Sequence, residues 1–230
     1  MERASRVDTR GLAFAGSQMQ VQLYSARHRK RLEAAILTAL GRGTEQLQWL
    51  APLEDQRFEE PMDGAFLETL ELPQLIPDLA AFWPRSGPRW DGLARLDPSC
   101  TVLLVEGKSY PAEMRGSGCQ AYSEESRRKI EAALHATKVW LQASAEANWT
   151  GPLYQYANRL AHVRFLRERG VDAWLVNLCF TDDDTTTPTS AEEWQFGLNA
   201  AKRELGVEHL DGVALDVLLP ALSRDAWEAQ

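Results

Sequence analysis

Asp91, Glu106 and Lys108 are the residues whose types and spacing could do chemistry together. Glu106 and Lys108 closely follow residues 101–105, an apolar and β-branched run that predicts a buried strand. Because successive side chains of a strand point to opposite faces, Glu106 and Lys108 share one face. Two carboxylates could bind Mg²⁺ through their oxygens, while the lysine stabilises developing negative charge or orients an attacking water.

A predicted hairpin brings Asp91 to the same face. Residues 97–100 carry Asp and Pro at their first two positions, as a type I turn prefers. If they close the turn, Asp91 faces Glu106 across the two strands, with Cβ atoms about 4.5–5.5 Å apart. Opposed like charges are destabilising unless a cation lies between them, which favours a metal site. The alternative is a solvated hairpin end in which Lys108 simply pairs with Glu106.

These residues resemble the motif of the PD-(D/E)XK nuclease superfamily, which has the restriction-endonuclease-like fold. Asp91 matches the Asp of the first half-motif, although Trp90 stands where the motif has Pro, and Glu106 and Lys108 match the second half. The resemblance implies a hydrolase in which Asp91 and Glu106 bind Mg²⁺ (or Mn²⁺) and phosphodiester bonds are cleaved. DNA is the expected substrate ahead of RNA, and a homodimer is expected because many such enzymes cut two strands as a pair.

The superfamily often places another acidic residue on the helix before the hairpin. Glu60, Asp63 and Glu68 are the candidates, and Glu60 is chosen as a metal ligand because its spacing to residues 64 and 67 can share an inward stripe. For each of the three, the alternative is an acid favoured by the dipole of a helix N-terminus.

A polar stripe marks the predicted helix at 153–169. Gln155, Arg159 and His162 fall on one side of it, at spacings that bring them together. By resemblance, Gln155 assists catalysis by orienting water and Arg159 holds a nucleic-acid phosphate. His162 is disfavoured as a metal ligand because Mg²⁺ prefers oxygen.

The most basic run in the sequence gives a second candidate contact with nucleic acid. Arg27, Arg29 and Lys30 lie in residues 27–31, within a helix predicted over 21–40. One interpretation is contact with backbone phosphates, and the other is an ordinary solvated helix face.

Composition sets the broad class. The chain has 230 residues, of which 44% are hydrophobic and 25% charged, values typical of one ordinary globular domain. Its net charge of −8 counts against a generally basic surface, so a nucleic-acid site would have to be a local one. The three cysteines lack the spacing of metal ligands, and the sequence shows no leader-like segment and no apolar run of membrane-spanning length. These features predict a cytoplasmic protein outside the membrane.

The predicted fold class is α/β, with a central mixed β-sheet flanked by helices and a restriction-endonuclease-like core carrying additional N- and C-terminal helices. A single domain is expected over 1–230, with 1–17 as a loose arm and 44–60 irregular. Further strands are predicted at 171–180 and 212–219, and helices at 21–40, 62–72, 75–83, 123–147, 153–169, 190–205 and 220–227. Two alternatives to an enzyme are a catalytically silent binding module of this fold and an unrelated interaction protein whose eight tryptophans form the core.

Overall fold

The computed structural model describes residues 6–207 and 210–227, which form an α/β fold around one five-stranded mixed sheet. Its strands are β1 (Gln46–Ala51), β2 (Gly92–Asp97), β3 (Val102–Lys108), β4 (Ala173–Thr181) and β5 (Ala214–Pro220), adjacent in that order. Its helices are α1 (Gly16–Arg27), α2 (Arg29–Leu40), α3 (Gly64–Thr69), α4 (Ile76–Phe82), α5 (Glu124–Trp140), α6 (Tyr154–Arg167) and α7 (Ala191–Glu204). β1, β2 and β3 are antiparallel, whereas β3, β4 and β5 are parallel. The predicted fold class is confirmed.

The hairpin of β2 and β3 has the predicted register. Leu93 pairs with Leu104 and Arg95 with Val102, so the same count places Asp91 opposite Glu106. The connection itself differs from the predicted type I turn over residues 97–100, since the Cys100 N–H donates to the Leu96 carbonyl oxygen at 2.9 Å and Cys100 has a positive φ of 59°.

The two faces of the sheet are covered by different helices. Val102 and Leu104 join a core with α6 and α7, while Leu103 and Val105 join a core with α1 and α2. All seven residues of β3 are buried, as expected for a central strand covered on both faces. Alternation along β3 therefore directs Glu106 and Lys108 to the α6 side.

The N-terminal third differs most from the sequence predictions. The helix predicted over 21–40 is two helices, which meet at His28. Residues 46–51, predicted to be irregular, form the edge strand β1. The described part of the predicted loose arm is packed: Leu12 and Ala13 are buried in a cluster with Trp227, while residues 1–5 lie outside the described residues.

At the other end of the chain, the helix predicted over 220–227 is only a 3₁₀ turn, Arg224–Trp227. A capping box formed by Ser190 and Glu193 opens α7, within the helix predicted over 190–205. No helix within the described residues is both long and apolar enough to cross a membrane.

Candidate active site

Glu106, at the end of β3, accepts hydrogen bonds from two cations. Lys108 Nζ lies 2.5 Å from Glu106 Oε1, and Arg159 Nε lies 2.7 Å from Oε2. The three residues are between 5% and 9% exposed, so water screens the pairs only weakly. The two cations hold the pKa of Glu106 below its usual value although burial alone would raise it. The alternative that Lys108 pairs with Glu106 is therefore observed, but in a buried setting and not at a solvated hairpin end.

Arg159 is held in place by more than its ion pair. Its other guanidinium nitrogens donate to Asn158 Oδ1 at 2.9 Å and to the Arg89 carbonyl oxygen at 2.8 Å. The guanidinium carbon also lies 4.9 Å from the ring centroid of Trp90. Helix α6 thus supplies a rigid counter-ion for Glu106, a role that the sequence did not indicate.

Asp91 lies just before β2 and is half-buried. Its Oδ2 accepts a hydrogen bond from the backbone N–H of Gly107 at 2.8 Å. Burial and then the Glu106 carboxylate raise the pKa of Asp91 to about 8, while Lys108 acts in the opposite direction. Asp91 is therefore brought to the same strand end as Glu106, as the hairpin predicted, and forms no ion pair with any described cation.

Glu60 reaches this site from a loop, whereas a position on a helix had been predicted. It precedes α3, is half-buried, and accepts a hydrogen bond from Gln18 Nε2 at 2.9 Å. Burial raises the pKa of Glu60, and the charge of Glu106 adds to that effect. Because Glu60 in turn raises the pKa of Asp91, the three carboxylates share one electrostatic environment.

The other two acids considered with Glu60 lie elsewhere. Asp63 accepts the backbone N–H groups of Ser86 and Gly87, at 3.1 and 2.9 Å, and so fixes the loop before the hairpin. Glu68 is exposed on α3. Of these three candidate acids, all within the described residues, only Glu60 lies with Asp91 and Glu106.

Helix α1 and the turn after β3 contribute Ser17 and Glu113, neither of which was among the predicted site residues. Glu113 accepts hydrogen bonds from Ser17 Oγ and from the Ser109 backbone N–H, both at 2.7 Å, and its charge raises the pKa of Lys108. From the sequence, Glu113 could be an outer carboxylate of the site or an exposed acid at a helix start, and the second interpretation was favoured. No local signal could have indicated Ser17, because its place depends on how α1 crosses the sheet.

Gln155 and His162 diverge although both lie on α6. Gln155 is exposed and lines a small cavity together with Glu106, Lys108 and Arg159, so it remains at the site. His162 is buried away from the carboxylates, and burial lowers its pKa to about 3. The imidazole is therefore a neutral group among aromatic rings.

A groove of about 1060 Å³ opens onto the site. Its lining includes five basic side chains and one carboxylate: Arg85, Arg89, Lys108, Arg115 and Arg159, with Glu113. Arg85 and Arg89 are exposed, and within the described chain neither side chain forms a hydrogen bond or an ion pair. Tyr122, on the loop that borders the groove, is fully exposed. Lys108 and Arg159 are paired with Glu106, and Arg115 is paired with Glu204, so Arg85 and Arg89 are the basic side chains of the groove that form no ion pair within the described residues.

The basic run predicted to contact nucleic acid lies at the far end of α1. Arg27 is about 14 Å along the helix from Gln18, at 1.5 Å per residue. Arg27 donates to Glu54 at 2.7 Å, while Arg29 donates to the Ser25 carbonyl oxygen at 2.9 Å. Lys30 is exposed. None of these three side chains lines the groove as the described residues define it.

Across residues 6–207 and 210–227, no group of three or more His, Cys, Asp or Glu side chains is arranged so that it could enclose a metal ion. No known family model matches the chain, and no match was found among curated proteins or solved structures. The superfamily resemblance therefore rests on Asp91, Glu106 and Lys108 and stays a prediction.

Proposed function

We propose that this protein is a metal-dependent nuclease that hydrolyses phosphodiester bonds in DNA, with Asp91 and Glu106 as the ligands of Mg²⁺ and Lys108 as the charge-stabilising group. The observation that carries the proposal is the groove: on a chain of net charge −8, it presents Arg85 and Arg89, which form no ion pair within the described residues, and it reaches Lys108. A local positive groove leading to acids is the electrostatic pattern of a protein that binds and cleaves a polyanion.

The donor set fits Mg²⁺, and Mn²⁺ equally, because it consists of carboxylate oxygens. Mg²⁺ takes one or two carboxylates and completes its shell with waters and substrate phosphates, so an enclosing group of three acids is not required. Asp91 Oδ1 and Glu60 Oε2 have no hydrogen-bond partner within the described chain, and burial followed by the Glu106 carboxylate raises the pKa of Asp91. When bound, the ion would polarise the phosphate and lower the pKa of a water.

The protein's own side chains would bind and position the substrate. Arg85 and Arg89, exposed on one side of the groove, are suited to contact backbone phosphates. Lys108, at the inner end of the groove, would stabilise the negative charge that develops on the attacked phosphate. Gln155, exposed beside it, would orient the attacking water. Arg159 would act as a positioning residue, because it orients Glu106 through a 2.7 Å ion pair.

Metal titration and DNA cleavage test the proposal together. Calorimetry with Mg²⁺ and Mn²⁺ would be done on the wild type, on Asp91→Asn, and on the matched control Glu68→Gln, followed by incubation with plasmid and single-stranded DNA. We expect metal binding and cleavage in the wild type and the control, and loss of both in Asp91→Asn. Absence of metal binding by the wild type, with DNA present, would overturn the catalytic proposal.

A second candidate is a catalytically silent module of the same kind that binds nucleic acid. The observation that favours it is that both oxygens of Glu106 are already paired, with Lys108 and Arg159. In that case the wild type would bind DNA with the same affinity with and without Mg²⁺, and it would cleave nothing.

A homodimer is part of the nuclease proposal, because two active sites are needed to cut both strands at once. Phe196 on α7 and Val139 on α5 are large apolar side chains that are mostly exposed, at 72% and 66%. Sedimentation velocity at rising protein concentration, with and without duplex DNA, would show whether dimers form.

A further inference from the structure

A second cavity, of about 420 Å³, adjoins the groove. It lies between α3, α4 and the loop of residues 84–88. Trp83, Pro84, Arg85, Gly87 and Pro88 line both the cavity and the groove, so the two meet along this loop. A chain lying in the groove could therefore place one of its groups in the cavity.

The cavity walls suit a flat, apolar ligand. Phe66 and Trp83 provide aromatic surfaces, and Ile76 and Leu79 provide aliphatic ones. The Asp63 carboxylate also borders the cavity, but its two oxygens already accept backbone N–H groups. Recognition by polar contact must therefore come largely from another group.

His162 is that group. It lines the cavity, is only 1% exposed, and its Nδ1 lies 2.8 Å from the Asn158 carbonyl oxygen. A carbonyl accepts only, so in the neutral ring Nδ1 carries the proton and Nε2 is an acceptor. Nε2 has no hydrogen-bond partner within the described chain, and it is not among the unpartnered side-chain atoms there that are closed off from solvent, so it is open to the cavity. A ligand that brings a donor would satisfy this acceptor, whereas a ligand that displaces water from it without a donor would pay a cost.

The ring is held neutral by its surroundings. Burial is the main cause of its low pKa, with Arg159 acting in the same direction. The rings of Phe66, Phe82 and Trp83 contact it edge-on, with centroids 4.9 to 6.1 Å away. The imidazole therefore presents a fixed acceptor at neutral pH.

We infer that this cavity binds a nucleobase that carries an amino group, with the base packed against Trp83 and Phe66 and its amino group donating to His162 Nε2. The inference rests on the proposed function, because the groove would deliver the base. Arg85, exposed where the cavity and the groove meet, is suited to hold the phosphate of the same nucleotide. The pocket would give the protein a preference among bases that the phosphate contacts cannot provide.

Mononucleotides test the pocket without any cleavage step. Calorimetry in metal-free buffer would compare AMP with purine riboside 5′-monophosphate, which has the same ring system but no amino group. We expect AMP to bind about three- to tenfold more tightly, the range for one net hydrogen bond. In His162→Phe, which keeps a ring but loses the acceptor, the two affinities should become equal.

A pair of variants on α4 separates the pocket from general effects. Ala80 lines the cavity and is exposed, whereas its neighbour Ala81 is exposed and lies outside the cavity. Ala80→Phe should abolish binding of both nucleotides, and Ala81→Phe should bind them as the wild type does. A six-residue oligo(dA), titrated alongside AMP, would show whether the base comes from a strand or from a free nucleotide.

The results separate this inference from the nuclease proposal. Nucleotide binding that Ala80→Phe does not weaken, or an AMP preference that survives in His162→Phe, would overturn the pocket whether or not DNA is cleaved. Conversely, base binding that meets these expectations in Asp91→Asn would support the pocket even if no cleavage were found in the wild type.

Discussion

The ion pairs of Glu106 with Lys108 and Arg159 should matter as much for stability as for any reaction. The pairs are buried, and removing one partner of a buried pair leaves a charge that is poorly compensated. We expect Arg159→Met to lower the free energy of unfolding by about 3–5 kcal/mol. Urea denaturation at pH 7, monitored by tryptophan fluorescence, would measure the loss.

The exposed pair of Arg128 and Glu124 provides a control for that prediction. Its side chains are 76% and 94% exposed, and its nitrogen and oxygen lie 3.9 Å apart. Arg128→Met should change the free energy of unfolding by less than about 1 kcal/mol, since exposed pairs contribute little. Equal losses in Arg159→Met and Arg128→Met would contradict the importance assigned to burial.

His162 should make the folded protein sensitive to acid. Its folded-state pKa of about 3 lies below the ordinary value of 6.5, so between these values the unfolded chain binds a proton that the folded chain does not. The stability that it contributes is complete above pH 6.5 and is lost as the pH falls toward 3, by at most about 1.4 kcal/mol per pH unit. The difference in unfolding free energy between wild type and His162→Phe should follow this slope, and a difference that is constant with pH would contradict it.

At the residue scale, the sequence was informative where local geometry decides. The turn residues and the alternation of β3 were enough to place Asp91 near Glu106 and Lys108. They could not show that Arg159 neutralises Glu106, because that contact joins β3 to α6 across 53 positions. The loop position of Glu60 was also hidden, since an acid before a helix looks the same whether or not the helix includes it.

At the scale of elements, long periodic segments were predictable and short ones were not. The helices α5, α6 and α7 and the buried strands β3 and β4 lie within or close to their predicted ranges. β1 is six residues long and alternates exposed and buried positions along most of its length, but it is followed directly by Pro52 and was taken for irregular chain. The break between α1 and α2 falls inside one continuous helical pattern, so only packing against the sheet reveals it.

Helix α1 is positioned by close contact with Gly107. A Cβ at this residue would lie 2.7 Å from Val21 Cγ2, closer than side chains pack. Gly107→Ala should therefore lower the free energy of unfolding by about 1–3 kcal/mol, the range for overpacking, and should shift Ser17 and Gln18 relative to the carboxylates.

The natural control is Gly43→Ala, because nothing lies within 4 Å of a Cβ at Gly43. That variant should unfold at nearly the same urea concentration as the wild type. If Gly107→Ala were equally neutral, α1 would not depend on this contact.

At the scale of the whole molecule, the uneven distribution of charge decides where a polyanion can bind. The net charge of −8 repels nucleic acid at long range, whereas the groove presents Arg85 and Arg89, whose side chains form no ion pair or hydrogen bond among the described residues. Arg29 and Lys30, which the sequence analysis also predicted to contact nucleic acid, lie outside the groove. Arg85 with Arg89, and Arg29 with Lys30, are therefore two alternative surfaces for contact with nucleic-acid phosphates.

Salt dependence distinguishes the two pairs. For single-stranded DNA, each phosphate contact adds about −0.7 to the slope of log affinity against log salt, so two contacts cost about sevenfold between 50 and 200 mM salt. We expect Arg85→Ala/Arg89→Ala to reduce the steepness of the slope by about 1.4, and Arg29→Ala/Lys30→Ala to leave it unchanged. Each double variant removes two positive charges, so a general effect of net charge would alter both slopes alike. Fluorescence anisotropy with a labelled oligonucleotide would measure the slopes. Flattening only in Arg29→Ala/Lys30→Ala would move the binding surface from the groove to the start of α2.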